Sequence, residues 1–186
     1  LFFCKDIMPS LTQISPQIHL TIVGSHPPEE IIALDNKQSI QVTGFVPELT
    51  PYYEQADIII APLRYGGGMK GKIGEAMSYS TPIITTNFGA EGFGINANEH
   101  YLLANTPEEF IHAIKKLSND TALYHSLAKN SWEFISSHYS YPVVTQKIIK
   151  LFADLNTIPI KKLPFIKYLK FKIQQFMNKY ILWRFN

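Results

Sequence analysis

Ala61-Pro62-Leu63-Arg64-Tyr65-Gly66-Gly67-Gly68-Met69-Lys70-Gly71-Lys72-Ile73-Gly74-Glu75-Ala76-Met77 carries an apolar run into a glycine turn and then into a helical pattern. The run begins upstream at Ile58-Ile59-Ile60 and is apolar on both faces, as expected of a central parallel strand covered by helices. The sequence therefore predicts a strand over 57–63 and a helix over about 69–78. The unpaired N–H groups and positive dipole end of that helix form an anion site. Consecutive glycines Gly66, Gly67 and Gly68 let the backbone approach a phosphate with no Cβ in the way. Lys70 and Lys72 add charge, and Arg64 has a guanidinium able to fork onto phosphate oxygens. Lysines oppose the dipole at a helix N-terminus, so an anionic ligand explains them better than a solvated loop does. Glu75 lies roughly 7–8 Å along the axis from the helix start, about one ribose from a diphosphate. A carboxylate there can accept hydrogen bonds from ribose hydroxyls, or can pair with Lys72 three residues earlier. Spacing alone fits both.

Working outward, strands are predicted at 19–23, 40–46, 82–86 and 100–104, with helices at 2–11, 29–34 and 51–55 between or before them. The first helix packs through Phe3, Ile7 and Leu11, with Pro9 set to disturb its last turn. From Thr106 the strands stop. Thr106-Pro107-Glu108-Glu109 reads as an N-cap, a proline at the first position and a glutamate closing a capping box. Further helices are expected at about 121–137 and 142–155. Strands alternating with helices predict an α/β fold, a Rossmann-like doubly wound parallel sheet with C-terminal helices. Ligands of such sheets sit beyond the carboxyl ends of the strands, in the loops after Val23, Thr43, Leu63 and Thr86.

Two other phosphate motifs overlap the same residues. Gly66, Gly68 and Gly71 satisfy G-x-G-x-x-G with Glu91 twenty residues on, a dinucleotide pattern. Against it, four residues, Pro62-Leu63-Arg64-Tyr65, separate the apolar strand from the first glycine. Gly66, Gly71 and Lys72 match G-x-x-x-x-G-K, but Ile73 stands where a hydroxyl must hold magnesium.

The chain has 186 residues, 46% hydrophobic and 17% charged, which excludes a disordered protein and suits one domain with its own core. Cys4 is its single cysteine, excluding an intramolecular disulfide or a multi-cysteine metal site and favouring a reducing, cytoplasmic location. No apolar run approaches the ~20 residues needed to span a bilayer. The chain starts inside an apolar, helix-like stretch and reads as a fragment with an upstream part outside it. Residues 1–155 carry a net charge of −5, and residues 156–186 carry +7 with no acid. The second segment mixes Lys161, Lys162, Lys167, Lys170, Lys172, Lys179 and Arg184 with seven aromatic side chains. Such a helix suits an anionic membrane surface over 161–186, or packing against another domain. No nucleic-acid-binding motif is present. The histidines His19, His26, His100, His112, His125 and His138 are scattered and read as structural or surface residues.

Several motifs in order resemble one family. Ile22-Val23-Gly24, Val42-Thr43-Gly44-Phe45-Val46, Tyr52-Tyr53-Glu54-Gln55-Ala56-Asp57, the stretch 61–77 and Pro82-Ile83-Ile84-Thr85-Thr86 look like the C-terminal domain of family 4 glycosyltransferases. The resemblance covers about 1–155 and implies the donor-binding half of a two-domain GT-B architecture, without the domain's first strand. It implies retaining, metal-independent transfer from a nucleotide-diphosphate sugar, with no cofactor, to a glycan or lipid-linked acceptor bound by an N-terminal domain. Carried over, Glu75 holds the ribose, and Gly68, Met69 and Lys70 surround the diphosphate, beside Gly66, Gly67 and Lys72, which the glycine turn and its charges make donor-binding candidates. Gly44, Phe45 and Val46 meet the base, largely through backbone groups. Lys70 and Arg64 become the catalytic candidates, stabilising charge on the departing diphosphate. Gly89 and Glu91, in Gly89-Ala90-Glu91-Gly92-Phe93-Gly94, form either a flexible turn or a donor-sugar loop. Many members place a further glutamate eight residues before the ribose-binding one, where this chain has Gly67. A degenerate, non-catalytic module is the alternative that this departure supports.

Overall fold

The computed structural model describes residues 1–157 and 164–176. The chain divides into two compact units, Leu1–Ser137 and His138–Asn186. In the first, a π-helical turn at Phe3–Ile7 runs into α1 (Met8–Ile14). Phe3, Ile7 and Leu11 are buried, as their spacing predicts. Pro9 does not end this helix. It stands in the first turn of α1, where its missing N–H leaves no bond unmade, and the wide turn before it accommodates the ring.

Among the described residues five short strands follow: β1 (Leu20–Val23), β2 (Ile40–Gly44), β3 (Ile59–Ala61), β4 (Ile83–Thr85) and β5 (Leu102–Leu103). They pair in parallel as β1-β2 and as β3-β4-β5. The expectation that 57–63 is a central strand is corrected here. Among the described residues β3 pairs with β4 alone, and β4 is the strand flanked on both sides. Burial agrees, since Ile83, Ile84 and Thr85 are fully enclosed while Ile59 and Ile60 are half-buried. The apolar run of β3 answers to packing instead, because Ile58 and Ile60 rest on the core beneath the strand. Leu20 and Ile22 of β1 rest on the same core, so both sheets share it.

That core is closed by α6 (Pro107–Asn119), which buries Phe110, Ala113, Ile114 and Leu117. Phe110 meets the rings of Phe2 and Phe3 edge-on at 6.3 and 5.7 Å. Burying one such ring contributes about 2–3 kcal/mol. The helix starts as the sequence predicts. The Glu109 N–H donates to Thr106 Oγ1 at 3.3 Å, and Glu109 Oε2 accepts from the Thr106 N–H at 3.2 Å. Shorter helices connect the strands: α2 (Glu29–Ile32), α3 (Thr50–Gln55), α4 (Gly71–Ser78) and α5 (Asn87–Ala90). After α6 comes α7 (Thr121–Tyr139).

The second unit contains α8 (Tyr141–Thr157) and α9 (Pro164–Phe176). Within it Lys147 donates to the His138 carbonyl at 3.0 Å and lies over the Tyr139 ring. Tyr168, Phe171, Lys167 and Lys172 of α9 are exposed, and Lys172 sits 5.7 Å from the Tyr168 ring centre. Residues 158–163 and 177–186 of the basic aromatic tail lie outside the described residues. No helix among the described residues is long and apolar enough to cross a membrane.

Candidate functional site

Because β3 and β4 are parallel neighbours, the segments that leave them emerge on one edge of the sheet. The first is the 62–70 turn leading to α4, and the second is the 86–94 loop containing α5. Gly66 and Gly68 have φ of +111° and +76°, a region that L side chains avoid. Lys70 follows in extended conformation, so α4 begins at Gly71, two residues later than the sequence predicts. Gly67 differs from its neighbours: its φ is ordinary and nothing lies within 4 Å of a Cβ built there.

The Lys70 ammonium turns back over the turn that precedes it. It donates to the Gly66 carbonyl at 3.1 Å and to the Gly68 carbonyl. Lys72, on the first turn of α4, is exposed and has no hydrogen-bond or ion-pair partner among the described residues. Arg64 points elsewhere, with its guanidinium 5.5 Å from the Phe2 ring centre. Of the three cations, only Lys70 touches the glycine turn.

The second loop is bound to the first. Thr86 N-caps α5 by accepting from the Gly89 N–H at 3.3 Å, and its hydroxyl donates to the Leu63 carbonyl on the neighbouring turn. The side chain of Met69 and its backbone nitrogen lie 3.0 and 3.1 Å from where a Cβ on Gly92 would stand. The Phe93 ring, buried, closes to 3.3 Å from the Cβ position of Gly74 on α4. Gly68 and Met69 are thereby brought against Gly92, next to exposed Glu91. Of the segment 89–94 read as a turn or a sugar loop, Gly89 and Ala90 are buried at the end of the capped helix Asn87–Ala90, while 91–94 form a turn. Glycine at 89 disfavours a helix by propensity, but here it permits close contact with β4.

Glu75 lies exposed on α4, and no ion pair joins it to Lys72 among the described residues. Its partner is Tyr53 on α3, whose hydroxyl donates to Glu75 Oε2 at 2.8 Å. Burial, together with the adjacent carboxylate, pushes the Tyr53 phenol well above its ordinary value, so it stays protonated and donates. The Tyr53 ring is stacked on Tyr79 at 5.0 Å between centres and 5° between planes. Tyr79 is fixed in turn by a 2.8 Å hydrogen bond between its hydroxyl and Thr50 Oγ1. Tyr53 was not singled out by sequence reasoning; the visible signal was a pair of tyrosines in the short helix before Asp57.

Gly44, Phe45 and Val46 leave the carboxyl end of β2, in the other sheet. Gly44 has φ +71°, where the β1–β2 register shifts, and Phe45 is 75% exposed. No hydrogen bond or ring contact ties these residues to the glycine turn among the described residues. Of the histidines only His100 is buried, accepting from the Asn96 N–H through Nδ1 and packing edge-on against Phe134. Among the described residues no group of three or more His, Cys, Asp and Glu is arranged to hold a metal ion.

The family model for glycosyl transferases group 1 matches residues 1–120. A Klebsiella pneumoniae relative, described as an uncharacterized 44.6 kDa protein in a cps region, is 27% identical over 81% of this chain and 41% of its own length. The Anabaena protein HepE, solved in complex with UDP-glucose, superposes with a TM-score of 0.68 at 17% identity, covering 80% of this chain and 44% of that one. The C-terminal domain of a Francisella tularensis glycosyl transferase group 1 protein, LpcC, gives a TM-score of 0.62 at 18% identity over 75% of this chain and 78% of that domain. At these identities the structures establish the fold, an α/β domain of the GT-B type. The chain spans less than half the length of the curated relatives it matches.

Proposed function

We propose a function on one premise: this chain belongs to the family of glycosyl transferases group 1. Within such a transferase it supplies the half that binds a nucleotide-diphosphate sugar. The observation that carries this reading is the pairing of two loops on one sheet edge, 66–70 and 89–94, at the start of α4 and one turn from exposed Glu75. The diphosphate lies over the glycine turn, receiving the free N–H groups of α4 and the charges of Lys70 and Lys72. Glu75 accepts from the ribose hydroxyls, and Glu91 with its neighbouring N–H groups faces the sugar. Phe45 and the backbone of Gly44 and Val46 meet the base. That the Anabaena neighbour holds UDP-glucose supports a uridine or similar sugar nucleotide as donor.

The reaction is hexosyl transfer with retention of configuration and without a metal. Breaking the bond between sugar and diphosphate leaves negative charge on the departing oxygen. Fixed N–H dipoles and Lys70 stabilise that charge as it develops, with Arg64 joining once it leaves Phe2. The acceptor is a glycan or a lipid-linked glycan bound by an N-terminal domain, and the setting is polysaccharide biosynthesis, to which the cps-region relative lends support. The basic segment 161–186 holds the enzyme on the anionic inner face of the membrane from the cytoplasmic side. Deleting residues 160–186 tests that part, and unchanged binding to anionic vesicles rejects it.

Calorimetric titration with UDP-, GDP- and ADP-sugars tests the donor site. One of them binds the wild-type chain, and Glu75→Ala and Lys70→Ala each weaken that binding about tenfold. Absence of any effect from either substitution rejects the site. Gly67 favours a second reading, a transferase half that has lost catalysis, because no carboxylate stands there to meet the sugar. That reading predicts no thermal response to any of these sugar nucleotides.

A further inference from the structure

We infer that Tyr53 is a positioning residue that fixes the Glu75 carboxylate, so that the preference of the proposed site for ribose over deoxyribose depends on Tyr53. This inference rests on the proposed role of Glu75 in holding a ribose. Its own support is the geometry of α3 against α4. The Tyr53 hydroxyl donates to one carboxylate oxygen, Oε2, at 2.8 Å, and Oε1 has no hydrogen-bond partner among the described residues. An exposed glutamate otherwise samples several rotamers, and ordering it on binding opposes affinity. Here the ordering is done before the ligand arrives.

The tyrosine is itself held from two sides. Its ring lies parallel to Tyr79, which ends α4 one turn beyond Glu75 and is pinned by its hydroxyl to Thr50 at the start of α3. The Tyr53 carbonyl accepts from Thr81 Oγ1 at 3.4 Å. Held this way, the phenol presents a fixed hydrogen-bond donor. With Oε2 held by that donor, the exposed carboxylate keeps Oε1 and one further lone pair of Oε2 as acceptors for a ligand. Two adjacent hydroxyls on one sugar edge can use both acceptors, whereas a deoxyribose can use only one. A deoxyribose therefore loses one hydrogen bond to a charged group relative to the ribose.

The test titrates the full chain with UDP, 2′-deoxy-UDP and inorganic pyrophosphate, comparing wild type, Tyr53→Phe and Glu75→Gln. Wild type prefers UDP over 2′-deoxy-UDP by about tenfold, one hydrogen bond to a charged group. Tyr53→Phe is expected to cut that preference to about threefold or less, with pyrophosphate binding unchanged. A merely structural role for Tyr53 moves all three ligands together, and that result overturns the inference. If Glu75→Gln abolishes the preference while Tyr53→Phe keeps it, the positioning role fails and the ribose role of Glu75 stands. If Glu75→Gln leaves the preference intact, the ribose role fails and the inference falls with it.

Discussion

Around the glycines of the 66–68 turn there is open space, whereas Gly89 and Gly92 of the following loop are hemmed in. A Cβ on Gly67 or Gly68 meets nothing within 4 Å, and one on Gly66 meets only the far end of Lys70 at 3.7 Å. A Cβ on Gly89 falls 1.8 Å from Thr85 Oγ1, and one on Gly92 lands 3.1 Å from the Met69 nitrogen. In the first segment glycine serves conformation, at the two positions where φ is positive. In the second it serves proximity at Gly89 and both needs at Gly92, whose φ is +90°, allowing α5 and the following turn to lie against β4 and the first loop. Adjacent glycine-rich loops on one edge therefore have different tolerances: the first leaves space for a side chain over its glycines, and the second packs against it.

Substitution to alanine separates the two uses. The largest effect is expected at Gly89→Ala. The new methyl must displace the Thr85 hydroxyl, which is fully buried and donates to the Ala61 carbonyl at 2.9 Å. Overpacking with loss of that bond costs about 3 kcal/mol in urea denaturation. Thr85→Ala in the same chain should recover part of it, and a single mutant as stable as wild type would break the comparison at its root. Gly92→Ala combines positive φ with contact against Met69 and should cost about 2 kcal/mol while also weakening nucleoside-diphosphate binding. Binding left intact there means that the second loop does not support the first. Gly68→Ala has φ +76° but free space, so only strain of about 1 kcal/mol is expected from thermal melting. Gly67→Ala should stabilise by about 0.5 kcal/mol, since the backbone is already where alanine belongs and the unfolded chain loses freedom. Gly67→Glu should likewise fold normally, so that any change in sugar-nucleotide affinity is attributable to the added carboxylate.

The parts of this molecule legible in its sequence are those decided within one turn of chain. Thr106, Pro107 and Glu109 specify the start of α6 by mutual hydrogen bonds three residues apart, and the helix begins there. Phe3, Ile7 and Leu11 bury together for the same local reason. What escaped reading depends on partners distant in sequence. Tyr53 and Glu75 are 22 positions apart and meet because α3 packs beside α4. The glycine run at 89–94 has the composition of a turn, and only Thr86 capping it and Thr85 behind it make 87–90 a helix. The apolar run 58–60 suggested a strand with two neighbours, since burial on a core and burial between strands leave the same hydrophobic signature. At the site, the glycine turn, its lysines and Glu75 were visible as residues, but the tie between Lys70 and the carbonyls of Gly66 and Gly68 was not.

That tie gives the turn a threshold. The Lys70 ammonium already has two carbonyl acceptors, so an incoming anion must out-compete neutral dipoles before it gains the lysine. A nucleoside offers nothing to lure it, a single phosphate only a modest inducement, and a diphosphate two charged groups within reach. Affinity along that ladder should climb unevenly, with the steepest step where the ligand first carries enough charge to draw the side chain away. On the proposed reading of this turn, a ligand's charge is weighed before its base or sugar, and a nucleoside or a nucleotide cut back to one phosphate is the first to be let go.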